Sequence, residues 1–147
     1  MEFNVAEVLG YTTGVFDLFH IGHVNLLKNA SSLCDKLIVG VTTDELVSYK
    51  HKRSVIPFEE RLEIVQSCKY VDLAIPQTDL DKFTAWEKHR FNKLFVGDDW
   101  LGSDKWNIYE TKLNEVDVQI VYLPYTKTTS STLINQTLES LRKNPTN

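Results

Sequence analysis

Gly14-Val15-Phe16-Asp17-Leu18-Phe19-His20-Ile21-Gly22-His23 is the stretch that decides how the rest of the chain is read. Ahead of it, the β-branched and apolar-leaning run Val8 to Thr13 predicts a strand. Behind it, Val24 to Ala30 places apolar residues at helical spacing. The ten residues therefore form a strand-to-helix turn, with two imidazoles three residues apart at the mouth of a helix. A helix N-terminus offers unpaired N–H groups and the positive end of a dipole, which suits an anion such as phosphate. Histidines beside it add donors for oxygens on which negative charge builds up. Gly14 and Gly22 permit close approach of backbone to a phosphate or to the neighbouring helix. Asp17 is read as a cap for backbone N–H groups, holding the loop that presents His20. The alternative is one surface histidine and one satisfied core histidine near a glycine turn.

Outward from this turn, the chain alternates between two periods. Lys36 to Val41 is a short apolar run fit for a strand buried on both faces. Thr42-Thr43-Asp44-Glu45 then caps a brief helix, and Ser48 to Ser54 is polar and basic, with Lys50, His51, Lys52 and Arg53. Pro57 to Arg61 opens another helix, whose inner face is expected to be Leu62, Ile64, Val65 and Cys68. Val71 to Pro76 reads as a third strand ended by proline, Asp81 to Phe91 as an amphipathic helix, and Lys93 to Gly97 as a fourth strand. After a polar segment, Gly102 to Asn107, a helix of about two turns runs from Ile108 to Asn114. Val118 to Leu123 is the fifth strand, and the hydroxyl-rich run Tyr125 to Thr132 leads into a last helix, Leu133 to Leu141.

Strands alternating with helices at this spacing imply right-handed βαβ units. The fold expected is α/β: a Rossmann-like, doubly wound, five-stranded parallel sheet with helices on both faces. Ligands bind beyond the carboxyl ends of such strands. The unusual polar groups gather there: the first turn, Thr42 to Asp44, Asp98-Asp99 and Thr128 to Ser131. The 147 residues read as one domain, with residues 1–7 and 143–147 as loose ends. A net charge of −4 gives no general attraction to nucleic acid or to an anionic membrane, so a phosphate site must be built locally. Cys34 and Cys68 show no metal spacing and read as buried free thiols in a reducing compartment. No apolar run approaches membrane-spanning length and no signal-peptide core is seen, so a cytoplasmic location is expected.

The ten-residue turn resembles the signature of the cytidylyltransferase family, G-x-F-D-x-x-H-x-G-H, within the HxGH nucleotidyltransferase type. The resemblance covers Tyr11 to Leu138, with further blocks in the expected order. It implies that Gly14, Val15, Phe16, Asp17 and Gly22 belong to a nucleotide site and that His20 and His23 stabilise charge on an α-phosphate. It implies catalytic roles for Lys50 and Lys52, whose spacing from Thr43-Asp44-Glu45 matches the family's lysines, and a nucleotide-side role for Asp44. Arg61 matches the arginine of an E-x-R pattern and is read as structural. Gly97-Asp98-Asp99-Trp100 resembles a G-x-D-W block, in which a carboxylate accepts a hydrogen bond from the exocyclic amine of cytosine; adenine carries such an amine too.

Two blocks depart from the family pattern. R-T-x-G-I-S-[ST]-[ST] is here Tyr125-Thr126-Lys127-Thr128-Thr129-Ser130-Ser131-Thr132, and R-Y-V-D is Lys69-Tyr70-Val71-Asp72. Tyr125, Thr129, Ser130, Ser131 and Thr132 still offer a phosphate site at a helix start, Lys127 supplies the missing charge, and Lys69 keeps charge without the bidentate fork.

The implied reaction joins CTP to a small phosphomonoester, first of all glycerol 3-phosphate, giving a CDP-alcohol and pyrophosphate for teichoic-acid or capsule synthesis. Phosphoethanolamine, phosphocholine or a sugar phosphate are alternative acceptors. Mg²⁺ is implied, bound mainly through the CTP phosphates, with no metal site on the protein itself. A homodimer is implied, with Lys69 to Asp72 near the contact, and neither nucleic acid nor membrane as a partner. The rival readings are an adenylyltransferase using ATP and a non-enzymatic nucleotide-binding module.

Overall fold

The computed structural model of the chain describes residues 7–49 and 53–143. Five parallel strands, β1 (Leu9–Gly14), β2 (Lys36–Thr42), β3 (Leu73–Gln77), β4 (Lys93–Gly97) and β5 (Gln119–Leu123), form one sheet in the order β3-β2-β1-β4-β5. The helices are α1 (Ile21–Ser32), α2 (Asp44–Tyr49), α3 (Phe58–Gln66), α4 (Lys82–His89), α5 (Asp104–Asn114) and α6 (Ser131–Lys143), with one 3-10 turn at Asp98–Trp100. This is the doubly wound architecture expected. The chain builds β1, β2 and β3 in one direction and then returns to lay β4 against the other side of β1. The strand order therefore reverses between β1 and β4, the place where such sheets open a crevice.

The two faces of the sheet carry separate cores. Leu37, Val39 and Val41 of β2 point to one, where they meet Leu27 and Ala30 of α1 and Val65 of α3. Tyr11 of β1 and Leu94 of β4 point to the other, against Trp106 and Leu113 of α5, with Phe91 beside them. Period-2 alternation thus covers both faces with helices, and the C-terminal ends of the strands are left as the open edge.

Four local expectations are corrected. Ile64 is on the exposed side of α3, and the fully buried position is taken by Arg61 instead. Strand β3 passes through Pro76 to Gln77 rather than ending at the proline. That is tolerated because β3 is an edge strand, where a missing N–H breaks no ladder. On the same edge, the Ala74 N–H donates to Oε1 of Gln66 at 2.7 Å. Helix α5 begins at Asp104, four residues before the predicted start, because Ser103 caps it by accepting from the Trp106 N–H. Cys34 and Cys68 are free but half-buried. Apart from Glu7 and Lys143, the expected loose ends lie outside the described residues, and no described helix is long and apolar enough to cross a membrane.

Candidate active site

A cleft of about 650 Å³ lies over the C-terminal ends of β1, β4 and β5. The β1–α1 turn forms one wall. Phe16 and Leu18 both hold positive φ, 53° and 51°, a strained choice for bulky residues that marks a turn fixed by its surroundings. Asp17 between them supplies that fixing. Its carboxylate accepts from the N–H groups of Val55 and Ile56 at 2.7 and 3.0 Å and from its neighbour Leu18 at 3.1 Å. Its carbonyl accepts from the Ser131 hydroxyl at the start of α6. Asp17 therefore ties the turn to two distant segments and is placed as a cap rather than as a nucleotide ligand. Phe16 is likewise corrected: its ring is buried in the core, edge-on to His23 at 5.3 Å, because an apolar ring gains more there than at a phosphate.

His20 caps α1, and the two imidazoles close on the backbone. His20 Nδ1 accepts from the Gly22 N–H at 3.0 Å, and His23 Nδ1 accepts from the His20 N–H at 3.2 Å. With Nδ1 committed as acceptor on both rings, the proton of the neutral imidazole is on Nε2, and Nε2–H is the donor each ring keeps. The Gly22 N–H at the start of α1 and the N–H of the cap itself are thus satisfied by histidine, and an anion here meets imidazole N–H beside the helix end. Gly22 is required by this arrangement: a Cβ on it would come within 2.7 Å of His20 Cε1. Gly14 is required too, since a Cβ there would meet the Phe16 ring at 2.9 Å.

Burial holds both imidazoles below the usual histidine range. His23 falls to about 4, with His20 pushing the same way and Asp17 opposing. An imidazole neutral in the fold and free to protonate in the unfolded chain makes stability fall as the pH drops from 6.5 toward about 4, with no such loss above 6.5. An NMR titration of the ligand-free protein should give His23 a midpoint near 4; a midpoint at or above 6.5 would contradict the geometry.

Arg61 stands behind this wall, fully buried. It donates to the carbonyls of Ile56, Val15 and Thr42 at 2.7–2.8 Å and to Oδ1 of Asp44 at 2.7 Å. Asp44 also accepts from the Ser54 hydroxyl and the Phe58 N–H, bonds that hold its carboxyl below the usual range, the Phe58 bond most of all. Asp44 is therefore turned away from the cleft, a correction to the nucleotide-side role expected of it. Lys69 is corrected as well. It precedes β3, at the opposite end of the sheet from the cleft, exposed with its ammonium 5.2 Å from the Tyr70 ring.

Val15, Gly97, Trp100, Tyr125, Thr129, Ser130, Ser131 and Thr132 line the cleft, as do His20, Gly22 and His23. Ser130 caps α6 by accepting from the Leu133 N–H at 3.0 Å. The Thr129 carbonyl lies 3.5 Å from where a Gly22 Cβ would stand, so the starts of α1 and α6 converge on one point. Asp98 and Lys127 are exposed and outside the lining, the Asp99 side chain is outside the described set, and Lys50 and Lys52 fall outside the described residues.

Sequence reasoning missed the opposite wall, built by α4 and α5. Lys82, nine-tenths buried, donates from Nζ to Thr13 Oγ1 at 2.7 Å. Lys105, Trp106 and Tyr109 reach the cleft from the first turns of α5. The only signal for Lys82 was its place just after Asp81, the N-cap of α4; for Lys105 it was the Ser103 cap.

The profile of the Cytidylyltransferase-like family matches residues 11–137. The chain belongs to that family. As a cytidylyltransferase-like protein it is a nucleotidyltransferase. It is 37% identical to the glycerol-3-phosphate cytidylyltransferase of Bacillus spizizenii over 131 residues, 88% of this chain and 96% of that one. It is 36% identical to the glycerol-3-phosphate cytidylyltransferase of Staphylococcus aureus over 128 residues, 86% and 92% of the two chains. Among solved structures, the lipopolysaccharide core biosynthesis protein from Thermoplasma volcanium superposes with a TM-score of 0.69 at 25% identity, over 84% of this chain and all of that one.

Proposed function

We propose that this chain transfers CMP from CTP to glycerol 3-phosphate, releasing pyrophosphate. The observation that carries the reading is the pair of Nε2–H donors where the starts of α1 and α6 converge. Resemblance to the two glycerol-3-phosphate cytidylyltransferases supports both the nucleotide and the acceptor.

An acceptor phosphate oxygen attacks the α-phosphorus in line. A new P–O bond forms as the bond to the bridging oxygen breaks, and that electron pair leaves with pyrophosphate. Such a step needs positioning and charge stabilisation rather than a protein nucleophile. His20 and His23 donate to the α-phosphate oxygens as their charge grows. Thr129 to Thr132 hold the rest of the triphosphate, and the family resemblance gives Lys50 and Lys52 the role of neutralising its charge. The nucleoside lies toward the ends of β4 and β5, beside the half-exposed rings of Trp100 and Tyr125, and the family resemblance gives the Gly97-to-Trp100 block the acceptor for the cytosine amine. Lys82 holds the acceptor phosphate. The lining offers hydroxyls, imidazoles and amines and, among the described residues, no carboxylate. That donor set fits a Mg²⁺ held through the triphosphate, where it would neutralise charge on the leaving pyrophosphate. We place the protein in the cytoplasm, in precursor synthesis for a cell-surface polymer, and as a homodimer, which sedimentation velocity at micromolar concentration would test.

The deciding assay is pyrophosphate release from CTP or ATP with a panel of phosphomonoesters. Turnover of ATP in place of CTP would replace the reading with an adenylyltransferase, and nucleotide binding without release would replace it with a binding module. Lys82→Met should raise the KM for glycerol 3-phosphate by about 10–100-fold, the worth of a charged hydrogen bond to phosphate. A KM within about twofold of the parent would remove Lys82 from the acceptor site.

A further inference from the structure

The floor of the cleft carries a polar pair that the transfer step leaves unused. Thr42 ends β2 and Gln77 ends β3, and both line the cleft while only 2% and 5% exposed. The Thr42 hydroxyl donates to Oε1 of Gln77 at 2.7 Å, and the Gln77 carbonyl accepts from the Thr43 N–H at 3.1 Å. Gly40 leaves the room for this. A Cβ on it would stand 3.4 Å from Gln77 Cβ and 3.1 Å from Thr13 Cγ2, so Gln77 and Thr13 border one spot. With Oε1 taken by Thr42, the amide presents its NH₂ end, two donors and no acceptor. Nε2 has no hydrogen-bond partner among the described residues, and no polar side-chain atom among them is both enclosed and unpartnered. The nitrogen therefore reaches open space. Gln77 also borders a small cleft beside α4, but Thr42, which holds the amide head, borders the large cleft and not the small one. The donor thus opens into the active-site cleft.

We infer that Gln77 reads a hydroxyl of the acceptor's alcohol part: its amide N–H donates to that oxygen, and Thr42 is the positioning residue that keeps the amide from turning over. The inference rests on the cytidylyl-transfer reading above. In that reading the triphosphate occupies the starts of α1 and α6, the base lies toward β4 and β5, and the acceptor phosphate stands by Lys82 and Thr13. Gln77 borders Thr13 on the side of β2 and β3, which is the space left for the alcohol part. A neutral donor suits a hydroxyl oxygen, which accepts. An ammonium group offers only donors to it, and a methyl group offers nothing. An acceptor lacking the hydroxyl covers the amide and leaves it unpaired. A site built to hydrogen-bond a substrate hydroxyl rejects such an analogue more sharply than an apolar pocket separates molecules by size.

The test crosses one residue change with one substrate change. Pyrophosphate release from CTP is measured with glycerol 3-phosphate and its two monodeoxy analogues, 3-hydroxypropyl phosphate and 2-hydroxypropyl phosphate. The proteins are the parent chain and Gln77→Met, which keeps the length and removes both donors. In the parent, one of the two analogues should lose about tenfold in kcat/KM, the size expected when a buried donor is left unpaired. Gln77→Met should lose about tenfold with glycerol 3-phosphate and stay within about twofold of the parent with that same analogue. Thr42→Val, which keeps the shape and lets the amide turn, should show the same pattern more weakly. Equal losses with all three acceptors in Gln77→Met would mark a structural role and overturn the inference. A parent that uses all three acceptors alike would overturn it too, without any variant having to fold, and would leave cytidylyl transfer intact. If CTP is not turned over with any acceptor, the transfer reading fails, and calorimetric titration of the same three acceptors in the presence of CTP decides the role of Gln77 separately. Weaker binding of one analogue to the parent, with the difference gone in Gln77→Met, supports it; equal affinities in the parent overturn it.

Discussion

Alanine at His20 or His23 is expected to lower kcat by about 10²–10³-fold, the scale of removing one donor from developing charge. CTP affinity should change far less, because the run from Thr129 to Thr132 and the start of α6 still hold the triphosphate. The geometry separates the two residues further. His20 Nδ1 holds the Gly22 N–H and His23 Nδ1 holds the His20 N–H, so each alanine also unties a backbone donor at the start of α1. Asparagine at either position keeps a short amide that can restore one of the two bonds, and it should recover stability more than turnover. Steady-state kinetics on folded protein checks this. Turnover within about threefold of the parent for both alanine variants would end the catalytic assignment.

Arg61→Leu is expected to destabilise the fold by about 3–5 kcal/mol, because it takes the shared donor from three carbonyls grouped around a buried guanidinium. The guanidinium is fully buried and serves four oxygens at once. Removing it leaves the carbonyls of Val15, Thr42 and Ile56 without that donor, and an unsatisfied buried group costs about 1–3 kcal/mol. Asp44 is half-exposed and can turn to water, so the larger part of the loss comes from the carbonyls. Arg61→Lys should recover only a fraction, because an ammonium cannot span the fork. Urea denaturation reads the difference directly; a loss under about 1 kcal/mol would show that Arg61 is not what joins the signature turn to the segment before α3.

The sheet was legible because its signal is local. Buried parallel strands write themselves as short β-branched runs, and the run Lys93 to Gly97 coincides with β4 to the residue. The signature turn was legible for the same reason, as ten consecutive residues. What the sequence hid was set by contacts across long separations. Ile64 looked like core, and Arg61, read as structural, gave no sign of its partners, because nothing local reveals that four oxygens, from Val15 to Ile56, converge on one guanidinium. Lys82 looked like an ordinary helix lysine, and only the fold brings it to Thr13, 69 residues away. Asp44 and Lys69 show the converse: their residue types suit a nucleotide site, yet Asp44 is drawn to Arg61, and the topology puts Lys69 at the wrong end of the sheet.

The outer edge of β3 has a consequence for how this protein associates with others. Along a parallel strand, alternate N–H groups face opposite sides, so Ala74 and Pro76 point the same way. The Ala74 N–H is taken by Gln66, and proline has none to give. A foreign strand arriving along this border meets no free donor on either residue and would have only the carbonyls to pair with, which weakens any sixth strand. Contacts at this flank therefore lean on side chains, whose shapes and charges choose their partners, where a fully open backbone edge would accept any extended peptide.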